Sequence, residues 1–240
     1  MGERPEFDDE EEAPRKGLFR RWLRIALLAL AVFVLLPYLF LPLYRPAFVH
    51  PVSTLMMTRT LTGYDRQWVA FDDIAPVLVQ SVLMSEDGQF CNHYGIDWRE
   101  YKAVIEDALS GEKTRGASTI PMQTVKNLFL WNGRSYVRKV LELPLAVAAD
   151  AFWSKERMME IYLNIAQWGP ETFGIEAAAR EQFGVPASDL SRRQAALLAV
   201  SLPNPTGRQA AAPSAHMNRL ADRVERLAAR SGAYINCLYD

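Results

Sequence analysis

The chain has 240 residues, of which 27 are basic and 28 acidic, so its formal net charge is −1. This balance excludes the extended basic surface that nucleic-acid binding requires, and we expect no nucleic acid among the partners. Hydrophobic residues make up 50% of the sequence, which suffices for one domain with a substantial core and an additional membrane anchor.

An uncharged apolar stretch lies near the N-terminus, between Arg24 and Arg45. A helix of its length, about 20 residues, spans roughly 30 Å, which is the hydrocarbon thickness of a bilayer. A core helix would have a polar face, and a signal peptide would have a shorter apolar run before a cleavage site of small residues. The stretch has neither feature, and it ends in the aromatic residues Tyr38 and Tyr44, which are typical of the membrane interface. We therefore predict a retained transmembrane helix over residues 25–44.

Positive charge is distributed unevenly around this helix. Arg45 follows it closely, whereas a larger basic group precedes it: Arg15, Lys16, Arg20, Arg21 and Arg24. Because cytoplasmic flanks carry the excess of Lys and Arg, the sequence predicts a cytoplasmic tail over residues 1–24. The acidic first part of this tail is typical of disorder. The chain from Pro46 onward is then predicted to work outside the cytoplasmic membrane.

The part of the chain behind the anchor is predicted to be mainly α-helical, with short extended pieces over residues 46–68. We expect a main domain over residues 46–210 and a C-terminal amphipathic helix within residues 211–240. Seven helices are predicted in the main domain: from Phe71 toward Met84, over 100–109, from Thr119 onward, and over 135–153, 155–165, 176–183 and 192–201. Thr119, Ser154 and Ser191 are the predicted N-caps of the third, fifth and seventh helices. Pro121 lies in the first turn of the third helix, and Pro144 is expected to kink the fourth.

The two cysteines, Cys91 and Cys237, do not form a C-x-x-C motif, and three histidines are too few for a Cys/His zinc site. A disulfide between Cys91 and Cys237 is compatible with an oxidising compartment, but a domain of this size does not need such a crosslink. The sequence leaves their pairing open.

Glu86 follows a strongly apolar segment, residues 77–84. A carboxylate at the end of such a helix is partly desolvated, which raises its pKa and makes it a better proton acceptor near neutral pH. The alternative is a solvated surface residue beside Asp87, and composition alone favours that alternative.

Glu142 lies four residues after Arg138 and three after Lys139, so the three side chains meet on one side of a helix. They could form an ordinary salt-bridge cluster. With Lys126 and Arg134 close in sequence, they could instead bind a phosphate or pyrophosphate, for which Arg offers a planar fork and Lys a point charge.

Ser118 and Thr119 precede a predicted helix. They could cap this helix, or its first N–H groups could be free to receive an anion. His93, seven residues after Glu86, could be a core residue or could hold a loop in place.

These residues fall in four ordered motifs: residues 86–95 (EDGQFCNHYG), residues 116–130 (GASTIPMQTVKNLFL), residues 138–142 (RKVLE), and residues 155–164 followed by Gly169 and Gly174. In order and spacing they resemble the peptidoglycan glycosyltransferases of the family 51 type, in particular the monofunctional biosynthetic transglycosylases of Gram-negative bacteria. The resemblance covers residues 71–205, and four motifs at compatible spacing make it specific.

The resemblance implies a lysozyme-like glycosyltransferase domain with a small membrane-proximal jaw, preceded by one transmembrane helix. It also implies a reaction in which lipid II offers a sugar 4-hydroxyl to a growing glycan that is attached to undecaprenyl pyrophosphate. The attack inverts the anomeric carbon and releases the lipid pyrophosphate. The implied location is the bacterial inner membrane, with the N-terminus cytoplasmic and the catalytic domain periplasmic.

The resemblance further implies roles for individual residues. Glu86 matches the general base, and Glu142 matches a second essential glutamate near the donor pyrophosphate. Tyr162 and Asn164 match architectural positions of the fourth motif. The candidate substrate-binding residues are Asp87, Phe90, His93, Ser118, Thr119, Gln123, Lys126, Asn127, Arg134, Arg138 and Lys139. The chain departs from the family at Met122, where a glutamine is usual, and at Pro144 within the third-motif helix.

The sequence has no dedicated set of metal ligands and requires no cofactor, although Mg²⁺ or Mn²⁺ could screen the pyrophosphate. The expected partners are the membrane, lipid II and the lipid-linked glycan, with cell-division proteins or penicillin-binding proteins as further candidates. Two alternative functions remain open. One is a lysozyme-like muramidase that uses Glu86 as an acid, and the other is a non-catalytic scaffold of the cell-wall machinery.

Overall fold

A computed structural model describes residues 15–111, 116–133 and 135–239. The chain divides into two compact units, Met1–Pro37 and Tyr38–Asp240. The described residues form ten α-helices: α1 (Arg15–Leu43), α2 (Thr54–Thr58), α3 (Pro76–Glu86), α4 (Trp98–Ser110), α5 (Ile120–Phe129), α6 (Tyr136–Phe152), α7 (Lys155–Ile165), α8 (Ile175–Phe183), α9 (Arg192–Ser201) and α10 (Ala215–Ala228). Their two short strands are β1 (Asp65–Arg66) and β2 (Thr172–Phe173). The predicted mainly α-helical fold class is confirmed.

Helix α1 contains a stretch, Gly17–Leu43, that is long and apolar enough to cross a membrane. Only 6% of its most apolar 18-residue window is buried, which distinguishes it from a core helix. The helix begins earlier than the predicted span over residues 25–44 because the Arg and Lys residues in front of that span are also good helix formers.

Helix α7 forms the centre of the second unit, since every residue from Arg157 to Ile165 is buried. Helices α5, α6 and α8 pack against α7, and helices α3, α9 and α10 pack against one another. The buried amide of Asn164 donates to the carbonyl oxygens of Val69 and Glu160. Because its polar groups are paired inside the protein, α7 can be enclosed on all sides.

Several helices begin behind a hydroxyl side chain that accepts a backbone N–H from the first turn. The predicted N-caps Thr119, Ser154 and Ser191 are confirmed, and Pro121 lies in the first turn of α5 as expected. These caps fix where α5, α7 and α9 start.

The helix that was predicted to begin at Phe71 is interrupted. Phe71–Asp73 forms a single 3₁₀ turn, and α3 begins only at Pro76. Ile74 and Ala75 are extended, with ψ angles of 131° and 124°. A residue before proline avoids the helical region because the proline ring clashes with its backbone, so Pro76 starts a new helix.

Strands β1 and β2 pair in parallel, with Asp65 opposite Thr172 and Arg66 opposite Phe173. The extended element predicted within residues 46–68 is therefore present, but it is only two residues long. The same segment contains α2, which the sequence pattern did not predict because five residues are too few to establish a helical period.

Cys91 and Cys237 form a disulfide, although the size of the domain argued against a need for one. The size of the domain was not the relevant quantity, because the described chain after α10 forms two short 3₁₀ turns, Gly232–Tyr234 and Asn236–Leu238. A segment with so little regular structure gains from a covalent crosslink. The crosslink fixes this end of the chain to the loop of the first motif, 146 residues away in sequence.

Candidate active site

Glu86 is the last residue of α3 and lines two cavities, of about 380 Å³ and 260 Å³. Residues 116–119 border the larger cavity, whereas Arg208 and Arg223 border the smaller one. A group bound in either cavity would therefore meet the same carboxylate.

Burial raises the pKa of Glu86 above its usual value. Hydrogen bonds from Gln123 and Ser85 and the positive charge of Lys126 act in the opposite direction, and the charge of Asp87 adds to the rise. The predicted desolvation is thus present, and it makes Glu86 a stronger proton acceptor than an exposed glutamate.

Gln123, on α5, connects Glu86 to the protein interior. Its Nε2 atom donates to Glu86 Oε2 over 3.1 Å and to the Ser118 carbonyl oxygen over 3.4 Å. Its Oε1 atom accepts from the Tyr162 hydroxyl over 3.2 Å. The amide is therefore engaged at both ends.

A group of cations lies beside this carboxylate. Burial and the charge of Arg138 lower the pKa of Lys126, while the charge of Glu86 raises it. Burial and the charges of Arg138 and Lys126 lower the pKa of Lys139 to about 8. Because each charge acts on the next, Glu86, Lys126, Arg138 and Lys139 form one electrostatic site.

Glu142 holds two of these cations in place. It is 2% exposed, its Oε1 atom contacts Arg138 Nη1, and its Oε2 atom accepts from Lys139 Nζ over 3.1 Å. Both predicted contacts on one face of α6 are present. Both oxygens of Glu142 are therefore engaged by cations of the site.

Asp87 and Thr119 join the first two motifs. The Asp87 carboxylate lies 2.9 Å and 3.1 Å from His93 Nε2 and accepts from Ile120 N over 2.9 Å. Thr119 Oγ1 donates to the Gly95 carbonyl oxygen over 2.6 Å. The idea that the first N–H groups of α5 could receive an external anion is wrong, because the Ile120 N–H is taken by Asp87 and a later one by Thr119.

The loop of the first motif also packs closely against α6. Gly95 has a φ of +79°, and a Cβ atom there would lie 2.7 Å from the Ala146 carbonyl oxygen. Only glycine fits this position without displacing the backbone of α6. The packing brings the loop of Asp87 and His93 against the helix that carries the cations.

Two residues singled out in the motifs lie in the core. Phe90 is 0% exposed and contacts His93 and Lys155 inside the domain. Met122 is also 0% exposed, because its position on α5 faces the core. Its departure from the family pattern therefore removes no polar group from either cavity.

The remaining candidates have different surroundings. Asn127 lines a third cavity, of about 220 Å³, together with Gln123 and Lys126. The Ser118 hydroxyl accepts from Lys139 Nζ over 2.7 Å. Arg134 lies outside the described residues. Among the residues that the structure describes, no group of three or more His, Cys, Asp or Glu side chains could hold a metal ion.

The amino-acid sequence matches known proteins over most of the chain. The sequence pattern of the family described as Transglycosylase matches residues 53–231. The chain belongs to the transglycosylase family. The biosynthetic peptidoglycan transglycosylase of Rhizobium meliloti (strain 1021) is 65% identical over 230 residues, which cover 95% of this chain and 97% of that protein. The protein of the same name from Rhizobium johnstonii is 59% identical over 98% of this chain and 98% of its own length. The one from Brucella suis biovar 1 is 57% identical over 89% of this chain and 96% of its own length.

The resemblance indicated by the four motifs is therefore confirmed, and this transglycosylase is a glycosyltransferase enzyme. The sequence motifs did not include two residues that lie at the site. Arg208 and Arg223 border the smaller cavity, but each stands outside the motifs among ordinary polar residues. Tyr162 was assigned an architectural position, and its hydroxyl contact with Gln123 depends on packing between helices that no local pattern reports.

Proposed function

We propose that this transglycosylase polymerises lipid II into glycan strands and releases undecaprenyl pyrophosphate. One observation carries the proposal. The desolvated carboxylate of Glu86 shares a site with Lys126, Arg138 and Lys139, so a base can act on the attacking hydroxyl while a group of cations acts on the leaving group of the same anomeric carbon.

Glu86 acts as the general base. It takes the proton of the acceptor 4-hydroxyl as that oxygen forms a bond to the anomeric carbon of the donor glycan. The bond between the anomeric carbon and the pyrophosphate oxygen breaks, and its electron pair leaves with the pyrophosphate. Attack from the side opposite the leaving group inverts the anomeric carbon.

The cations stabilise the leaving pyrophosphate. A pyrophosphate departs as an anion, so it needs preorganised positive charge more than a proton donor. Arg138 supplies a planar fork, and Lys126 and Lys139 supply point charges. Glu142 acts through two cations that it holds in place, the guanidinium group of Arg138 and the ammonium group of Lys139.

A divalent cation, Mg²⁺ or Mn²⁺, enters this proposal only as a companion of the substrate pyrophosphate. The carboxylates of Asp87 and Glu142 are already engaged by protein groups, so they do not form a ready set of cation ligands. No step of the proposed reaction depends on such a cation.

We further propose that the enzyme is anchored in the bacterial inner membrane with its catalytic domain in the periplasm. Residues 1–24 form the cytoplasmic tail, 25–44 the span, 46–210 the catalytic domain and 211–240 the C-terminal region. The excess of basic residues before the span supports this orientation. The disulfide between Cys91 and Cys237 supports it independently, since disulfides persist in oxidising compartments such as the periplasm.

Exposed apolar side chains lie next to the cations on α6, and they support the proposal that the substrate is linked to a lipid. Tyr136, Val137 and Val140 on α6 are 94%, 67% and 67% exposed, while Arg138 and Lys139 on the same helix join the site. A lipid tail beside this surface would place its pyrophosphate near the cations. Cell-division and penicillin-binding proteins remain candidate partners.

The proposal is tested with purified full-length protein in liposomes, incubated separately with lipid II and with intact cell-wall sacculi. We expect glycan polymers and free undecaprenyl pyrophosphate from lipid II, and no soluble fragments from sacculi. Soluble fragments without polymer would instead establish a muramidase. Failure to consume lipid II under any condition would contradict the proposal and support a scaffold.

A further inference from the structure

Tyr162 is a buried residue of α7 whose hydroxyl reaches the catalytic site. Its side chain is 1% exposed, and the hydroxyl donates to Gln123 Oε1 over 3.2 Å. Tyr162 borders the third cavity together with Gln123, Lys126 and Asn127, and it reaches Glu86 through Gln123.

The hydrogen bonds of Gln123 fix which way its amide points. The NH₂ group meets two acceptors, Glu86 Oε2 and the Ser118 carbonyl oxygen, and the oxygen meets one donor, the Tyr162 hydroxyl. A flipped amide would turn its oxygen toward a carboxylate and a carbonyl, both of which can only accept. Only the observed orientation satisfies all three contacts.

We propose that Tyr162 is a positioning residue, which holds the Gln123 amide so that its NH₂ group donates to Glu86. The role of Gln123 is then to hydrogen-bond the general base and not to bind the substrate. This inference rests on the proposed role of Glu86 as general base. It differs from the substrate-binding role that sequence resemblance gives Gln123.

The protonation of Tyr162 suits this role. Burial, and then the negative charges of Glu86 and Asp87, raise the pKa of Tyr162 well above its usual value. The hydroxyl therefore keeps its proton and remains a donor through the pH range in which a carboxyl group titrates. A donor to the ionised carboxylate favours the charged form, so the Gln123 NH₂ group holds down a pKa that burial raises.

Other charged groups also face Glu86 and remain unchanged in the test below. Asp87 adjoins it, and Lys126 faces it from α5. Of the described residues, Asp97 and Glu100 border the larger cavity, and Arg208 and Arg223 border the smaller one.

The test compares the pH dependence of kcat/KM for lipid II polymerisation in full-length wild-type protein and in Tyr162→Phe. Loss of the hydroxyl removes the described donor to the Gln123 oxygen, so the amide is held less firmly toward Glu86 and we expect the acid limb to move to higher pH. Activity below the midpoint should fall about three- to tenfold, which is the worth of one hydrogen bond, with the plateau at higher pH retained. Tyr64→Phe is the matched control, since the Tyr64 ring packs on Phe173 and Tyr64 lines neither of the two cavities that Glu86 borders.

A second variant tests whether Tyr162 acts through Gln123. Gln123→Leu should move the acid limb in the same direction, and adding Tyr162→Phe to it should produce no further movement. Two movements that add would show that Tyr162 acts on Glu86 by another route and would overturn the proposal.

A readout that does not depend on turnover separates this inference from the proposed function. The Glu86 carboxyl is titrated by ¹³C NMR in the full chain, and its signal is assigned by its loss in Glu86→Gln. We expect Glu86 to titrate at higher pH in Tyr162→Phe than in wild type, even if lipid II proves not to be the substrate. An unchanged titration in a wild-type protein that does polymerise lipid II would overturn the inference alone.

Discussion

Lys139 Nζ donates to the Ser118 hydroxyl over 2.7 Å, which ties the cationic face of α6 to the segment before α5. The Ser118 carbonyl in turn accepts from Gln123, whose amide donates to Glu86. Lys139 and Glu86 are thus connected through two intervening residues, Ser118 and Gln123. A change at Lys139 should consequently be visible in the pH dependence of the reaction.

The alkaline limb of the activity profile should report Lys139. Because burial and the charges of Arg138 and Lys126 lower its pKa to about 8, we expect kcat/KM to fall as the pH rises through that value. Lys139→Arg keeps a positive charge at high pH, so it should move the limb to more alkaline values. Lys102→Arg, an exposed position on α4, should leave the profile unchanged. If Lys139→Arg does not move the alkaline limb, the limb reports the titration of a group other than Lys139.

Removing the charge of Glu142 should destabilise the fold. Its carboxylate is buried, whereas Arg138 and Lys139 are partly exposed, and loss of its charge removes a charge-assisted hydrogen bond to each of them. We expect Glu142→Gln to lower the free energy of unfolding by about 2 kcal/mol, measured by urea unfolding in detergent.

The control for that measurement is Asp222→Asn, which removes the charge from an exposed pair with Arg193. Exposed pairs contribute about 0–1 kcal/mol, so this variant should be near wild type. Equal losses from both substitutions would mean that burial of the Glu142 cluster adds nothing.

Loss of the disulfide should destabilise the protein while leaving the site chemistry in place. The bond closes a loop over a sequence separation of 146 residues, and removal of a native disulfide typically costs about 2–4 kcal/mol. We expect Cys91→Ser with Cys237→Ser to lower Tm, and dithiothreitol to produce the same fall in wild type but none in the double variant. A reductant effect that persists in the double variant would point to a cause other than this bond.

Local patterns sufficed to predict several parts of the fold. Caps at Ser154 and Ser191 depend on the few residues around them, and both helices start where predicted. The desolvation of Glu86 followed from the apolar run before it, since a carboxylate at the end of such a helix must approach the core. The ion pairs of Glu142 followed from helical spacing.

Contacts between distant segments could not be predicted in the same way. Tyr162 and Gln123 are 39 residues apart, and only the packing of α7 on α5 brings the hydroxyl to the amide. Phe90 belongs to the same motif as Glu86, yet its ring turns into the core. Motif membership therefore did not separate residues that face a cavity from those that support it.

The most direct test of the central claim is the rate of lipid II polymerisation by Glu86→Gln in full-length protein. If Glu86 is the general base, the rate should fall by about 10²–10⁴-fold while the unfolding curve stays close to that of wild type. Glu171→Gln, which changes an exposed carboxylate, should retain full activity. Near-normal polymerisation by Glu86→Gln would contradict the account, because no base would then be required at that position.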